Sequence, residues 1–194
     1  MQRTSEKTRK TKETDITLSL NLDGAGAADI STGVGFFDHM LTALAMHGGL
    51  DLRVAAVGDL NVDMHHTVED VGIVLGLAVK EALGGKAGLA RFGHSYVPMD
   101  EALAFCCVDV SGRPYLVMDD AALYRTVMDG FDPLLAEEFF RAFALNAGIT
   151  LHLRVEYGKN PHHMMEALFK SCARALGAAV KAEGTAVKST KGVL

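Results

Sequence analysis

His65-His66-Thr67-Val68-Glu69-Asp70 and His162-His163-Met164-Met165-Glu166 are two copies of one pattern: adjacent histidines with a glutamate four residues after the first. Each leads into a long apolar run of helical character, over residues 71–83 and 167–180. Two copies, at matching places before matching helices, are not expected by chance from this composition.

Outward from these motifs the chain reads twice. Residues 13–22 alternate, with Thr14, Ile16, Leu18, Leu20 and Leu22 on one side, which predicts a half-buried strand. A turn at Asp23-Gly24-Ala25-Gly26 precedes a short strand over 28–31. A helix over 36–47, stopped by Gly48-Gly49, and a strand over 50–57 then lead to the first motif. The second half offers strands over 93–97, 103–110 and 115–118, a helix over 133–146, a strand over 149–157, and Pro161 at the start of the last helix. His47-Gly48-Gly49-Leu50-Asp51-Leu52 lies over Asn146-Ala147-Gly148-Ile149-Thr150-Leu151. With a first strand over 3–9, the order strand-strand-strand-helix-strand-helix occurs twice. A unit of about ninety residues is too long for a solenoid repeat. The chain therefore reads as α+β, two tandem half-domains (1–90 and 91–194) forming one compact unit, their sheets buried against shared helices.

At 194 residues and 49 % hydrophobic, the chain can bury a sizeable core. Nineteen Lys and Arg against 24 Asp and Glu give a net charge of −5, no footprint for nucleic acid. The local cluster Arg3, Lys7, Arg9, Lys10, Lys12 reads as an exposed edge strand or tail. No apolar run reaches membrane-spanning length, and the N-terminus has no signal core. Cys106, Cys107 and Cys172 lack metal-type spacing and read as reduced apolar residues. The expectation is a cytoplasmic protein with no membrane or nucleic-acid partner.

Residues four apart share a helix face, so His65 and Glu69 can grip one ion, as can His162 and Glu166. His66 and His163 lie about 100° further round the axis and must serve another ion or a substrate. Two pseudo-symmetric sites follow, each expected to pair a His/Glu couple from one repeat with the lone His of the other. Such ligands suit Mn, Fe, Zn or Ni. Thr67 and Asp70 read as first-turn residues favoured by the positive helix end. The repeat alignment adds His39, eight residues before His47, and its counterpart Glu138, eight before Asn146.

Together with Lys12-Glu13-Thr14-Asp15-Ile16, Phe37-Asp38-His39-Met40-Leu41, Pro98-Met99-Asp100-Glu101-Ala102-Leu103, Asp109-Val110-Ser111-Gly112-Arg113-Pro114 and the ending Ser189-Thr190-Lys191-Gly192-Val193-Leu194, these motifs resemble the imidazoleglycerol-phosphate dehydratase family over essentially the whole chain. The resemblance implies a ribosomal protein S5 domain 2-like fold and a hydro-lyase of histidine biosynthesis. That enzyme converts imidazole glycerol phosphate to imidazole acetol phosphate and water. Two Mn2+ ions per site are implied, with sites shared between subunits of a twenty-four-subunit homo-oligomer built from trimers. By the same resemblance His39, His65, His66, Glu69, His162, His163 and Glu166 match metal ligands. Glu138 stands where the family commonly has His, and a carboxylate there can still ligate. Arg91, Arg113, Ser189, Thr190 and Lys191 match the substrate and phosphate positions, joined by Glu13. Glu13, Asp100 and Glu166 are the candidates for proton transfer, in no fixed order. Two Lewis acids flanking one imidazole ring account for two pseudo-symmetric sites, because the C–H to be broken has no carbonyl beside it. A two-metal hydrolase is the competing enzyme class. A metal-stabilised assembly protein or an RNA-binding module is the non-enzymatic one.

Overall fold

Along Thr14–Asn21 the residues Ile16, Leu18 and Leu20 are buried, while Asp15 and Thr17 face solvent. One apolar face per strand obliges each sheet to be covered on one side only. The computed structural model, which describes residues 3–119, 121–123, 126, 128 and 130–194, meets this need with helices. The first half contains β1 (Thr4–Lys10), β2 (Thr14–Asn21), β3 (Ala28–Ser31), α1 (Gly35–Gly48), β4 (Asp51–Gly58) and α2 (His65–Leu83). The second repeats the order as β5 (Phe92–Met99), β6 (Ala102–Asp109), β7 (Tyr115–Asp119), α3 (Leu135–Ala147), β8 (Thr150–Tyr157) and α4 (Pro161–Ala179).

The sheets have the orders β1-β2-β4-β3 and β5-β6-β8-β7. In each, the last pair is parallel and the rest antiparallel. The parallel pairs β3/β4 and β7/β8 are those joined by a helix, α1 or α3, as a parallel connection requires. Helices α1 and α2 cover the first sheet, and α3 and α4 the second; α1 packs on α4 and α2 on α3. The result is sheet, helices, helices, sheet, with one continuous apolar core through both halves. Phe139 of α3 meets Phe169 of α4 at 5.3 Å between ring centroids and Phe37 of α1 at 5.4 Å, so aromatic contacts join the repeats.

The matched glycines after α1 and α3 end their helices in the same way. Gly49 and Gly148 both have φ 68°, the left-handed C-terminal turn that glycine adopts without strain. Strand and helix limits fall within a few residues of those expected, and α2 and α4 begin at the motifs themselves, so the histidines occupy the first turns. The basic segment is an edge strand, and Arg3, Lys7 and Arg9 pair with Asp23, Glu81 and Asp70.

Thr67 and Asp70 depart from expectation. Both are buried. Asp70 accepts from Arg9 Nε at 3.0 Å and from the Thr14 hydroxyl, tying α2 to β1 and β2. The fully buried Thr67 hydroxyl lies beneath Gly58. Tertiary contacts, rather than the helix dipole, occupy the Asp70 carboxylate, and the buried Thr67 hydroxyl has no hydrogen-bond partner among the described residues.

Candidate metal centre and anion pocket

Helix α4 is started by Asn160, whose side chain accepts the His162 N–H at 2.9 Å, and by Pro161 in its first turn. One turn on, the Glu166 carboxylate returns to the same face, with Oε2 3.2 Å from His162 Nε2. Because α1 packs on α4, His39 arrives from the other repeat, its Nε2 3.4 Å from the same oxygen. One ligand atom from each of the three lies within 4.8 Å of the others. Donors about 2.1 Å from a common ion lie roughly 3.0–3.5 Å apart, so two imidazoles and a carboxylate at this spacing fit a first-row divalent metal.

The other Glu166 oxygen is 2.6 Å from Lys170 Nζ. Burial pushes the Glu166 acid range up, but the Lys170 bond, with His39 adding to it, outweighs burial and leaves it below the usual value. Glu166 is therefore an ionised, 7 % exposed carboxylate with one oxygen neutralised and the other aimed between two imidazoles. Lys170 escaped the sequence reading, although its spacing of four from Glu166 was a legible signal.

The first repeat is looser. His65 Nε2 is 4.0 Å from Glu69 Oε2, and both side chains are 43 % exposed. Glu138, the counterpart of His39, is gripped by Arg141 Nη1 at 2.9 and 2.7 Å. Among the described residues, three potential ligands thus gather at the second copy of the motif and two at the first.

The lone histidines stay within their own repeats. His66 Nδ1 lies 3.0 Å from Asp59, and its Nε2 is 3.9 Å from Glu13. His163 Nδ1 lies 2.8 Å from Glu101, and its Nε2 is 3.8 Å from Asp100, which adopts φ 47°. Asp59 chiefly raises the His66 pKa, and Glu101 that of His163. Glu101 is itself held down to about 2 by His163 and by the N–H groups of Asn160 and Lys159. Within one chain, neither lone histidine joins the His/Glu couple of the other repeat.

A second constellation lies at the far end of β6. Arg91, Arg113, Lys188, Ser189, Thr190 and Lys191 surround an open hollow of ≈ 600 Å³. Asp109, the last residue of β6, splays both guanidinium groups: Arg91 Nε donates to it at 2.8 Å and Arg113 Nη2 at 3.3 Å. Arg91 also donates to the Lys188 carbonyl, which ties the C-terminal segment to the hollow. Planar forks, a lysine and hydroxyls around one cavity make an anion pocket suited to a phosphate. The sequence pointed to Arg91, Arg113, Ser189, Thr190 and Lys191; Lys188 and the organising Asp109 emerged only in three dimensions.

His163 contacts Glu101, beside the first residue of β6, whereas the anion pocket surrounds its last. Seven residue steps along a strand separate those ends by about 23 Å.

The family model for imidazoleglycerol-phosphate dehydratase matches residues 32–176. A relative of that name from Symbiobacterium thermophilum is 58 % identical, the match covering 100 % of this chain and 93 % of the relative. Another, from Acetivibrio thermocellus, is 58 % identical with both chains fully covered. The crystal structure of the Staphylococcus aureus dehydratase superposes with a TM-score of 0.83 at 43 % identity, over 92 % of this chain and 99 % of that one. The Pyrococcus furiosus structure, in complex with (S)-C348, gives 0.83 at 39 %, over 97 % and 100 %. A duplicated fold, a histidine–carboxylate cluster and an anion pocket thus coincide with identity at more than half the positions of full-length relatives, and the chain belongs to the imidazoleglycerol-phosphate dehydratase family, hydro-lyases of histidine biosynthesis.

Proposed function

We propose that this chain converts imidazole glycerol phosphate to imidazole acetol phosphate in a metal-dependent dehydration, with two Mn2+ ions per site. The observation that carries the metal dependence is the His39, His162, Glu166 cluster, whose spacing suits one ion. His65 and Glu69 would begin the second ion's site, with Glu138 as a further ligand once released from Arg141. His66 and His163 would each complete a site. Held by these residues, the metal would supply Lewis acidity to the substrate's imidazole ring.

The chain's own groups do the rest. Arg91, Arg113, Ser189, Thr190 and Lys191 hold the phosphate, with both guanidinium groups fixed by Asp109. Dehydration breaks the C–O bond beside the ring and the C–H bond on the next carbon. One carboxyl must accept the carbon-bound proton, and an acid must protonate the departing hydroxyl. The enol so formed becomes the ketone. Glu13 and Asp100 are suited to these transfers: both are exposed and each stands within 4 Å of a lone histidine. Glu166 is a weaker candidate, since both its oxygens are engaged.

The ends of β6, one beside the His163–Glu101 contact and the other at the anion pocket, lie about 23 Å apart, more than the substrate, a ring, three carbons and a phosphate spanning roughly 10 Å at ordinary bond lengths. That mismatch favours sites shared between copies, in a homo-oligomer of twenty-four subunits built from trimers. The outer face of the second sheet supports self-association, since Phe92, Tyr96 and Tyr115 are each more than half exposed there. The two half-domains, 1–90 and 91–194, act as one folded unit in a cytoplasmic enzyme.

The test is incubation of the purified protein with Mn2+ and imidazole glycerol phosphate. Expected is a product that absorbs as an enolised ketone in base, with no phosphate released. Phosphate release would support the two-metal hydrolase instead, and absence of product from metal-loaded protein would overturn the proposal.

A further inference from the structure

The two lone histidines share a feature that the duplication does not account for. Each presents Nδ1 to a carboxylate, His66 to Asp59 at 3.0 Å and His163 to Glu101 at 2.8 Å. These carboxylates do not occupy equivalent places. Thr14 pairs with Gly58 across β2 and β4, so Glu13 and Asp59 come next, and the Asp59 N–H donates to the Glu13 carbonyl at 3.0 Å. In the second repeat Leu103 pairs with Tyr157, and continuing that register sets Glu101 opposite Lys159. The Lys159 N–H indeed donates to Glu101 Oε1 at 3.0 Å. Where the first repeat has Asp59 the second has a lysine, and its carboxylate comes from the facing strand. Two different positions thus deliver the same group to the same ring nitrogen.

An ionised carboxylate only accepts hydrogen bonds, so Nδ1 must carry the proton, and the lone pair of the neutral ring then lies on Nε2. In both repeats Nε2 faces the second carboxylate, Glu13 or Asp100, at the open side of the motif. We propose that Asp59 and Glu101 are positioning residues that fix the tautomer and ring orientation of His66 and His163, turning Nε2 toward the metal site each histidine completes. The proposal rests on the ligand role of the two lone histidines.

Glu101 also holds the loop before α4, through the N–H groups of Lys159 and Asn160 at 3.0 and 2.7 Å. The variants must separate that duty from positioning. The carboxamide of Glu101→Gln retains an oxygen for the loop N–H groups but loses the charged acceptor at Nδ1; Glu101→Ala loses both. Asp59→Asn and Asp59→Ala form the parallel pair. Mn2+ affinity and ions bound per subunit, measured by titration calorimetry and elemental analysis, are compared with His66→Ala and His163→Ala. Thermal unfolding of the metal-free proteins is followed alongside.

The expected result is affinity weakened about 10- to 100-fold in both alanine variants and to a smaller degree in Asn and Gln. Metal-free Asp59→Ala and Glu101→Gln should unfold within a degree or two of the parent, since a merely structural role would move unfolding and leave metal affinity alone. Loss of an ion in the histidine variants, with all four carboxylate variants within twofold of the parent, overturns the positioning role while leaving the ligand role intact. Full metal in the histidine variants overturns the ligand reading and this inference with it.

Discussion

Asp70 illustrates how much one buried side chain decides near the first histidine motif. It follows Glu69 directly, yet it points into the fold and accepts from Arg9 and Thr14. Replacing it leaves a guanidinium and a hydroxyl without their charged acceptor. Hydrogen bonds to charged groups are worth about 1.5–3 kcal/mol each, and Arg9 is partly solvated, so Asp70→Ala should cost about 2–3 kcal/mol in urea unfolding. Asp70→Asn, which keeps an acceptor for Thr14, should lose less. The i, i+4 spacing of His162 and Glu166 was legible because helix periodicity alone places them together. The engagement of Glu138 by Arg141 was not legible, because both sit on one helix turn and either side chain could have turned away.

Between elements, the crossing of α2 and α3 depends on missing side chains. A Cβ at Gly76 would meet the Phe143 carbonyl oxygen at 2.6 Å and Asn146 Cβ at 2.8 Å, both parts of α3 with no room to withdraw. Alanine gains about 1 kcal/mol of helix propensity over glycine, but overpacking a helix contact costs about 1–3 kcal/mol. Gly76→Ala should therefore be destabilising on balance, whereas Gly35→Ala, where a Cβ meets nothing within 4 Å, should be neutral or stabilising. Denaturant midpoints of the two variants check the opposite signs.

The link from β2 to β3 depends on Asp51, which accepts the N–H groups of Ala25 and Ala27 at 2.8 and 3.0 Å. These bonds, Ala25 foremost, hold its pKa below the ordinary 3.8. A depressed carboxylate contributes stability that is present above 3.8 and lost as pH falls through the lower folded value. Below pH 3.8 the urea midpoint of Asp51→Asn should fall less steeply with pH than that of the parent.

At the scale of the whole molecule, the His163–Glu101 contact and the anion pocket lie at opposite ends of β6, and the proposed sites would then be shared between copies. Arg91→Ala and His162→Ala chains should each be inactive, and refolding them together should restore activity, because some sites then draw an intact pocket from one copy and intact ligands from another. Activity no higher in the mixture than in the separate variants would count against shared sites. Chelation should shift the elution volume of the assembly if ions bridge copies, and an unchanged volume would show that they do not.

By itself the sequence determined the element order, the duplication, the first-turn location of both motifs and most residues of the candidate sites. The elements, the duplication and the histidine motifs follow from local periodicity, glycine stops and residue types at fixed spacing, all carried by neighbours along the chain, whereas the anion-pocket residues came from the family resemblance. Only the tertiary structure decided that His39 joins His162 and Glu166 while Glu138 is held by Arg141. It also decided that Asp109 braces the anion pocket, and that each lone histidine leans on a carboxylate of its own repeat. These depend on which helix faces meet and on which of several charged neighbours lies nearest. Packing within each half and between the halves sets both, and spacing along the chain allows these pairs without choosing among them.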